Sequence, residues 1–151
     1  MRTDKCGFTL VELVVTLALV AILATLAAPS FRNVIADNRL VSCANQFVGT
    51  VNLARSEAIK RSTAVSVVNN GTWTAGWQVQ VGGAALRVSD ACPVGTTLTS
   101  NGGNNQFVFG GNGGVAPTDT LDVCDSRAGE TGRRITLMTS GQIKMKTLAC
   151  P

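Results

Sequence analysis

Three patterns of hydrophobic and polar positions follow one another along the chain. In the first, the 21 residues from Phe8 to Ala28 are almost all apolar, and Glu12 is the only charged one. A helix of that length, rising about 1.5 Å per residue, matches the roughly 30 Å hydrocarbon core of a bilayer. Arg2, Asp4 and Lys5 form a short basic flank ahead of it. Ala27-Ala28-Pro29 is a poor signal-peptide cleavage site, because Pro29 would follow the cut, so the run reads as a retained anchor. A carboxylate in the outer turns of such a helix is costly. Glu12 is therefore either a contact residue or a side chain that snorkels to the headgroups.

The second pattern starts at Pro29, which is expected to bend the helix without ending it. Phe31, Val34, Val41, Ala44, Val48, Val51, Ala54 and Ala58 recur at helical spacing, while Arg32, Asp37, Asn38, Arg39, Asn45, Asn52 and Lys60 fill the intervening face. One long helix from about Phe8 to Arg61 is expected, apolar all round at first and then striped. It should stop near Ser62-Thr63, with Lys60 and Arg61 suited to the negative end of the helix dipole.

The third pattern is that of strands. Ala64–Val68, Trp77–Val81, Leu86–Ser89, Thr96–Thr99, Gln106–Phe109, Leu121–Cys124, Arg133–Thr139 and Gln142–Thr147 are the expected strands. Asn69-Asn70-Gly71, Gly82-Gly83 and Ser140-Gly141 mark turns between them. Gly102-Gly103-Asn104 and Gly110–Gly114 read as flexible surface connections between hairpin strands. Neither carries the Lys-Ser/Thr of a phosphate loop or leads into a helix. The fold class is α+β, a long N-terminal helix laid on an antiparallel sheet.

Composition narrows the chemistry. The chain has 151 residues and no His, which rules out His-based triads and His-ligated metals. No nucleophile–base constellation or metal-ligand spacing is present, so the chain reads as a non-enzyme without cofactor or metal. The formal charge of +4 is a modest excess, compatible with polyanion binding but not demanding it. Of five cysteines, Cys43, Cys92, Cys124 and Cys150 lie beyond the apolar run, and none are at CxxC spacing. Four cysteines allow three pairings, which spacing does not separate. The pairing expected is Cys43–Cys92, tying helix to sheet, and Cys124–Cys150, pinning the C-terminus.

Gly7-Phe8-Thr9-Leu10-Val11-Glu12 closely resembles the processing site of type IV pilins and type II secretion pseudopilins. In that family a dedicated peptidase cuts after the Gly and N-methylates the new N-terminal residue. The resemblance implies a leader over Met1–Gly7, a mature N-terminus at Phe8 and an inner-membrane helix over residues 8–28. It also implies a periplasmic pilin domain over 29–151, with Glu12 pairing with the N-terminal amine of a neighbouring subunit. Ala54-Arg55-Ser56-Glu57-Ala58-Ile59-Lys60-Arg61 resembles a segment of the FimT/FimU minor pilins and of the H-type pseudopilin. Arg55 and Glu57, two apart, cannot face each other on a helix, and at least one should bond neighbouring backbone or sheet residues.

Arg127, Arg133, Arg134, Lys144 and Lys146 form a C-terminal basic cluster. Lys144 and Lys146 should share one face of a strand, with Arg134 near either. A solvated sheet face, partly neutralised by Asp122, Asp125 and Glu130, accounts for such a strip. The resemblance adds a second reading, since some FimT-type pilins bind DNA through a C-terminal Gly-Arg-x-Arg motif. Here the stretch is Gly132-Arg133-Arg134-Ile135, with the second Arg one place early and so on the opposite face of a strand. Arg133, Arg134, Lys144 and Lys146 are the candidate DNA-binding residues. Taken together, the resemblance implies a minor pilin that assembles into or primes a type IV pilus with other pilin subunits, with DNA uptake as an accessory role. The alternative is a minor pseudopilin of a type II secretion system.

Overall fold

The computed structural model describes residues 9–127 and 131–150, with only the backbone at 26–30 and 131. The processing junction Gly7-Phe8 and the acidic residue Glu130 lie outside the described residues. The element order is one helix, α1 (Leu10–Arg61), followed by nine strands. These are β1 (Val65–Asn70), β2 (Thr72–Val81), β3 (Ala84–Ser89), β4 (Thr96–Ser100), β5 (Gln106–Phe109), β6 (Val115–Ala116), β7 (Asp119–Asp125), β8 (Thr131–Leu137) and β9 (Ile143–Ala149). The chain forms two units, residues 1–35 and 36–151.

In the first unit the side chains of Leu10, Val11, Leu13, Val14, Val15, Leu17, Leu19, Val20, Ile22 and Leu23 are all exposed, from 52% to 78%. Phe31, Val34 and Ile35 are exposed as well. Among the described residues no helix is long and apolar enough to cross a membrane. The expected span 8–28 runs beyond the described side chains at both ends, and the bend expected at Pro29 also lies outside them.

The second unit holds the core. Leu40, Cys43, Ala44, Phe47, Val51, Ala54 and Ala58 are the buried face of α1. This differs from the expected stripe in two ways: the packed face begins at Leu40, and Val41 is exposed. Leu40, Cys43 and Phe47 continue the same three- and four-residue steps as Ala44, Val51 and Ala54, so the packed face is rotated toward the larger side chains. Phe47 is at the centre, in edge-on contact with Trp73 and Trp77 at ring distances of 5.4 and 5.3 Å. Trp73 stacks on Phe107. Both indole N–H groups are satisfied: Trp77 donates to the Thr50 hydroxyl at 2.9 Å and Trp73 to the Asn104 carbonyl at 2.7 Å.

The helix stops by a specific device. The Thr63 N–H reaches back to the Ala58 carbonyl and the Ser62 N–H to that of Ile59, both at 3.2 Å. Ser62 takes a left-handed φ of 50°. This is the Schellman arrangement, with Ser where Gly is more usual.

The expected single sheet is two, both wholly antiparallel: a five-stranded sheet ordered β3-β2-β1-β5-β6 and a four-stranded sheet ordered β4-β7-β8-β9. They meet at β2 and β4. There the Thr74 hydroxyl accepts from the Leu98 N–H at 2.9 Å and donates to its carbonyl at 3.2 Å. One side chain therefore stands where a ladder of backbone bonds would have fused the sheets. Strand β6 is an addition to the expected set, and β2 starts five residues earlier than expected, at Thr72.

Candidate functional site

Glu12 is built into the helix start. Its N–H donates to the Thr9 hydroxyl at 3.2 Å, and the Thr9 N–H reaches back to Glu12 Oε2 at 3.5 Å. This is a capping box, Thr-x-x-Glu, which satisfies two donors that a helix start leaves open. Glu12 thus has a local partner. The Thr-x-x-Glu spacing is legible in the sequence, and this third use stands beside the subunit contact and the snorkelling side chain expected there.

Arg55 is placed by three separate segments. Its Nε donates to the Gly113 carbonyl at 3.1 Å. Gly113, at φ +78°, is buried in the β5–β6 connection, and Gly141, at φ +73°, turns β8 into β9. A Cβ on Gly141 would run into the Gly113 carbonyl and lie 3.0 Å from Arg55 Nε. Only glycine accommodates both this backbone conformation and this approach. The Gly110–Gly114 connection does join hairpin strands, but it is anchored to the helix rather than free at the surface. The expectation that Arg55 or Glu57 would bond other elements holds for Arg55. Glu57 is instead paired along its own helix with Arg61 at 2.7 Å and Lys60 at 3.9 Å. The Arg61 hydrogen bond holds the Glu57 carboxyl below its ordinary pKa.

Both disulfides are present as expected, Cys43–Cys92 at 2.04 Å and Cys124–Cys150 at 2.06 Å. The first fixes α1 to the segment after β3. The second fixes the end of β7 to the end of β9. No grouping of His, Cys, Asp or Glu able to hold a metal ion occurs among the described residues.

The basic cluster is divided between two faces. Arg134 lies opposite Lys146 in the β8–β9 register, and Thr136 lies opposite Lys144, so Arg134, Lys144 and Lys146 share a face. Arg133, opposite Thr147, is on the other face and donates to the Gly132 carbonyl. The Arg134 charge is already engaged: its Nε and Nη2 both donate to the Asp122 carboxylate at 2.7 Å. That two-point bond holds the Asp122 carboxyl below its ordinary pKa and raises that of Arg134. Lys144 and Lys146 are exposed, without ion partners among the described residues. Arg127 joins the end of β7 to α1, with Nη2 2.7 Å from both Asp125 and Asp37. Burial raises the Asp125 carboxyl pKa, but the Arg127 bonds outweigh it and the net direction is down.

Asp119, at the start of β7, organises the connection from β4 to β5. Its carboxylate accepts from Ser100, Asn104 and the N–H groups of Gly102 and Thr120. Burial opposes ionisation, and the four donors together hold the pKa low.

Residues 44–141 match the family of the type II transport protein GspH, and residues 2–28 match the prokaryotic N-terminal methylation motif. No curated protein matches the chain significantly. Among solved structures, the type IV minor pilin FimU of Pseudomonas aeruginosa overlays with a TM-score of 0.65 at 24% identity, over 73% of this chain and 90% of FimU. A second crystal form of FimU gives 0.61, over 70% and 90%. The minor pseudopilin EpsH of the Vibrio cholerae type 2 secretion system overlays with a TM-score of 0.54 at 17% identity, over 72% of this chain and 94% of EpsH. At these identities the likeness is one of fold, and the fold is pilin-like.

Proposed function

We propose a filament role on one premise: the chain belongs to the type II transport protein GspH family, a group of minor pilins and pseudopilins. The N-terminal methylation motif brings with it processing by a prepilin peptidase and assembly with other pilin-type subunits. The finer reading is a FimU-like minor pilin that enters or primes a type IV pilus. In it the leader Met1–Gly7 is removed, Phe8 is methylated, residues 8–28 sit in the inner membrane before assembly, and the domain faces the periplasm. The observation that carries it is the first stretch of α1, whose apolar side chains from Leu10 to Leu23 are exposed on all sides within the methylation motif. Such a surface needs lipid or neighbouring helices to cover it. Glu12 then has two uses, closing the helix start in the monomer and meeting a neighbour's N-terminal amine in the filament.

The second reading is a minor pseudopilin of a type II secretion system, and the family match over residues 44–141 supports it. Deletion of the gene, scored separately for pili, secretion and transformation, separates the two. Loss of pili with normal secretion supports the pilus reading, and the reverse supports the pseudopilin. A DNA-binding contribution would rest on Lys144 and Lys146, because Arg134 is held by Asp122 and Arg133 lies on the other face. A gel shift at low and moderate salt tests it, and no shift at low salt removes it.

A further inference from the structure

Beside β9, the outer strand of the four-stranded sheet, runs a groove of about 570 Å³ between that strand and α1. Val48, Ile143 and Met145 give it an apolar wall. Arg55 and Asn52 give it a wall of hydrogen-bond donors, Lys144 borders it from the other face of β9, and no carboxylate lines it. Met145 shares the helix-facing side of the sheet with Ile135, its partner in register, yet is 45% exposed. Arg55 is already oriented by its Nε bond to Gly113, and its terminal amino groups have no partner among the described residues.

We infer that this groove binds an extended acidic segment of a partner polypeptide, which adds as a fifth strand along β9. An outer strand presents unpaired backbone donors and acceptors, which an incoming extended segment satisfies. Alternate side chains of an added strand then point toward the helix. An apolar one meets Val48 and Met145. A helix-facing carboxylate meets the Arg55 guanidinium, whose fixed planar donors suit it, and carboxylates at the alternate positions meet Lys144 on the other face of β9. The charge along β9 selects the occupant, because Arg55 on the helix-facing side and Lys144 on the other face, with no carboxylate lining the groove, leave a basic segment repelled. This inference does not depend on which filament the chain enters, since it concerns the folded domain alone.

The test is selection of a displayed random octapeptide library on the full chain in detergent, in the wild type and in Lys144→Glu. The expected result is enrichment of sequences alternating apolar residues with Asp or Glu, and protection of β9 amides from hydrogen exchange by a selected peptide. Lys144→Glu, an exposed substitution, should weaken a selected acidic peptide about tenfold. Arg55→Gln should weaken it further if the variant folds, and the Lys144 result stands without it. Failure to enrich any peptide, enrichment without acidic bias, or binding unchanged in Lys144→Glu overturns the inference. So does displacement of the peptide by a single-stranded oligonucleotide that binds more tightly at moderate salt, which would assign the lysines to a polyanion instead.

Discussion

The two stretches of α1 have the same backbone and opposite needs. From Leu40 to Ala58 the helix has a buried face that packs on two sheets, is held by Cys43–Cys92 and is closed at Ser62 by its own backbone bonds. From Leu10 to Leu23 it has no buried side chain at all, and its side-chain polar contacts are local, the Thr9–Glu12 box and the Thr16 hydroxyl donating to the Leu13 carbonyl. An amphipathic helix finds its stabilising surface within the domain, whereas a helix that is apolar all round must find it outside. The first is a part of the fold, and the second is an interface awaiting a partner.

The largest effect on assembly is expected at Glu12, where the two uses of one carboxylate can be separated. Gln at this position keeps the capping box, because a side-chain oxygen still accepts from the Thr9 N–H, but it removes the charge. Glu12→Ala removes both. If assembly uses the charge, both variants remain membrane-associated and both lose at least about tenfold of their incorporation into sheared filaments, equivalent to ~1.4 kcal/mol. Normal incorporation of Glu12→Gln would make capping the whole role of Glu12 and erase the proposed contact with a neighbour.

Core substitutions should respect the same division. Phe47→Ala empties a fully buried site among Trp73, Trp77 and Phe107 and should cost the domain about 3–5 kcal/mol in thermal or denaturant unfolding. Leu17→Ala, in the exposed stretch, should leave that transition where it is while lowering filament yield. Equal destabilisation by both would mean that the first stretch is packed within the chain after all. Next come the disulfides. They close sequence separations of 49 and 26 residues. In the chain-entropy account, the Cys43→Ser/Cys92→Ser pair should cost about 4 kcal/mol and the Cys124→Ser/Cys150→Ser pair about 3.5 kcal/mol. Calorimetry of the two double variants checks both the size and the order.

Much of this division was legible in the sequence, because it depends on periodicity. The change from an all-apolar run to a stripe, the helix stop at Ser62 and the antiparallel strands follow from pattern and spacing, whereas spacing left all three cysteine pairings open. What stayed hidden depends on single side chains meeting across long separations. Nothing local in Thr74 indicates that its hydroxyl replaces a ladder and splits the strands into two sheets. Asp37 and Arg127 are 90 residues apart and become a clasp only after folding. The exact packed face of α1 was missed because Phe31, Val34 and Val41 look as apolar as Leu40 and Phe47. Only the presence of the sheets decides which of them is covered. At the basic strip the strand parity of Arg133 and Arg134 was readable, but the capture of Arg134 by Asp122 required the β7–β8 register.

The smallest expected effect is on pH dependence, and it belongs to the second stretch and its sheets alone. Asp119, Asp122 and Asp125 all have folded-state pKa values below the ordinary aspartate value. A group depressed in this way binds its proton more readily in the unfolded chain, so its stabilising contribution is complete above the unfolded pKa, near 4, and fades as the pH falls through the lower folded value. Unfolding midpoints should therefore be nearly level from pH 7 to about pH 5 and decline below about pH 4. Each of these carboxylates is partly solvated, so no single one should dominate the decline. Asp119→Asn removes the anion that accepts from four donors, and should lower the neutral-pH midpoint while flattening the acid limb. Asp122→Asn should flatten it less, because Arg134 is exposed and water can replace the lost partner. An acid limb as steep in Asp119→Asn as in the wild type would place the proton-sensitive contacts elsewhere, with the Arg127 clasp on Asp37 and Asp125 as the next candidate.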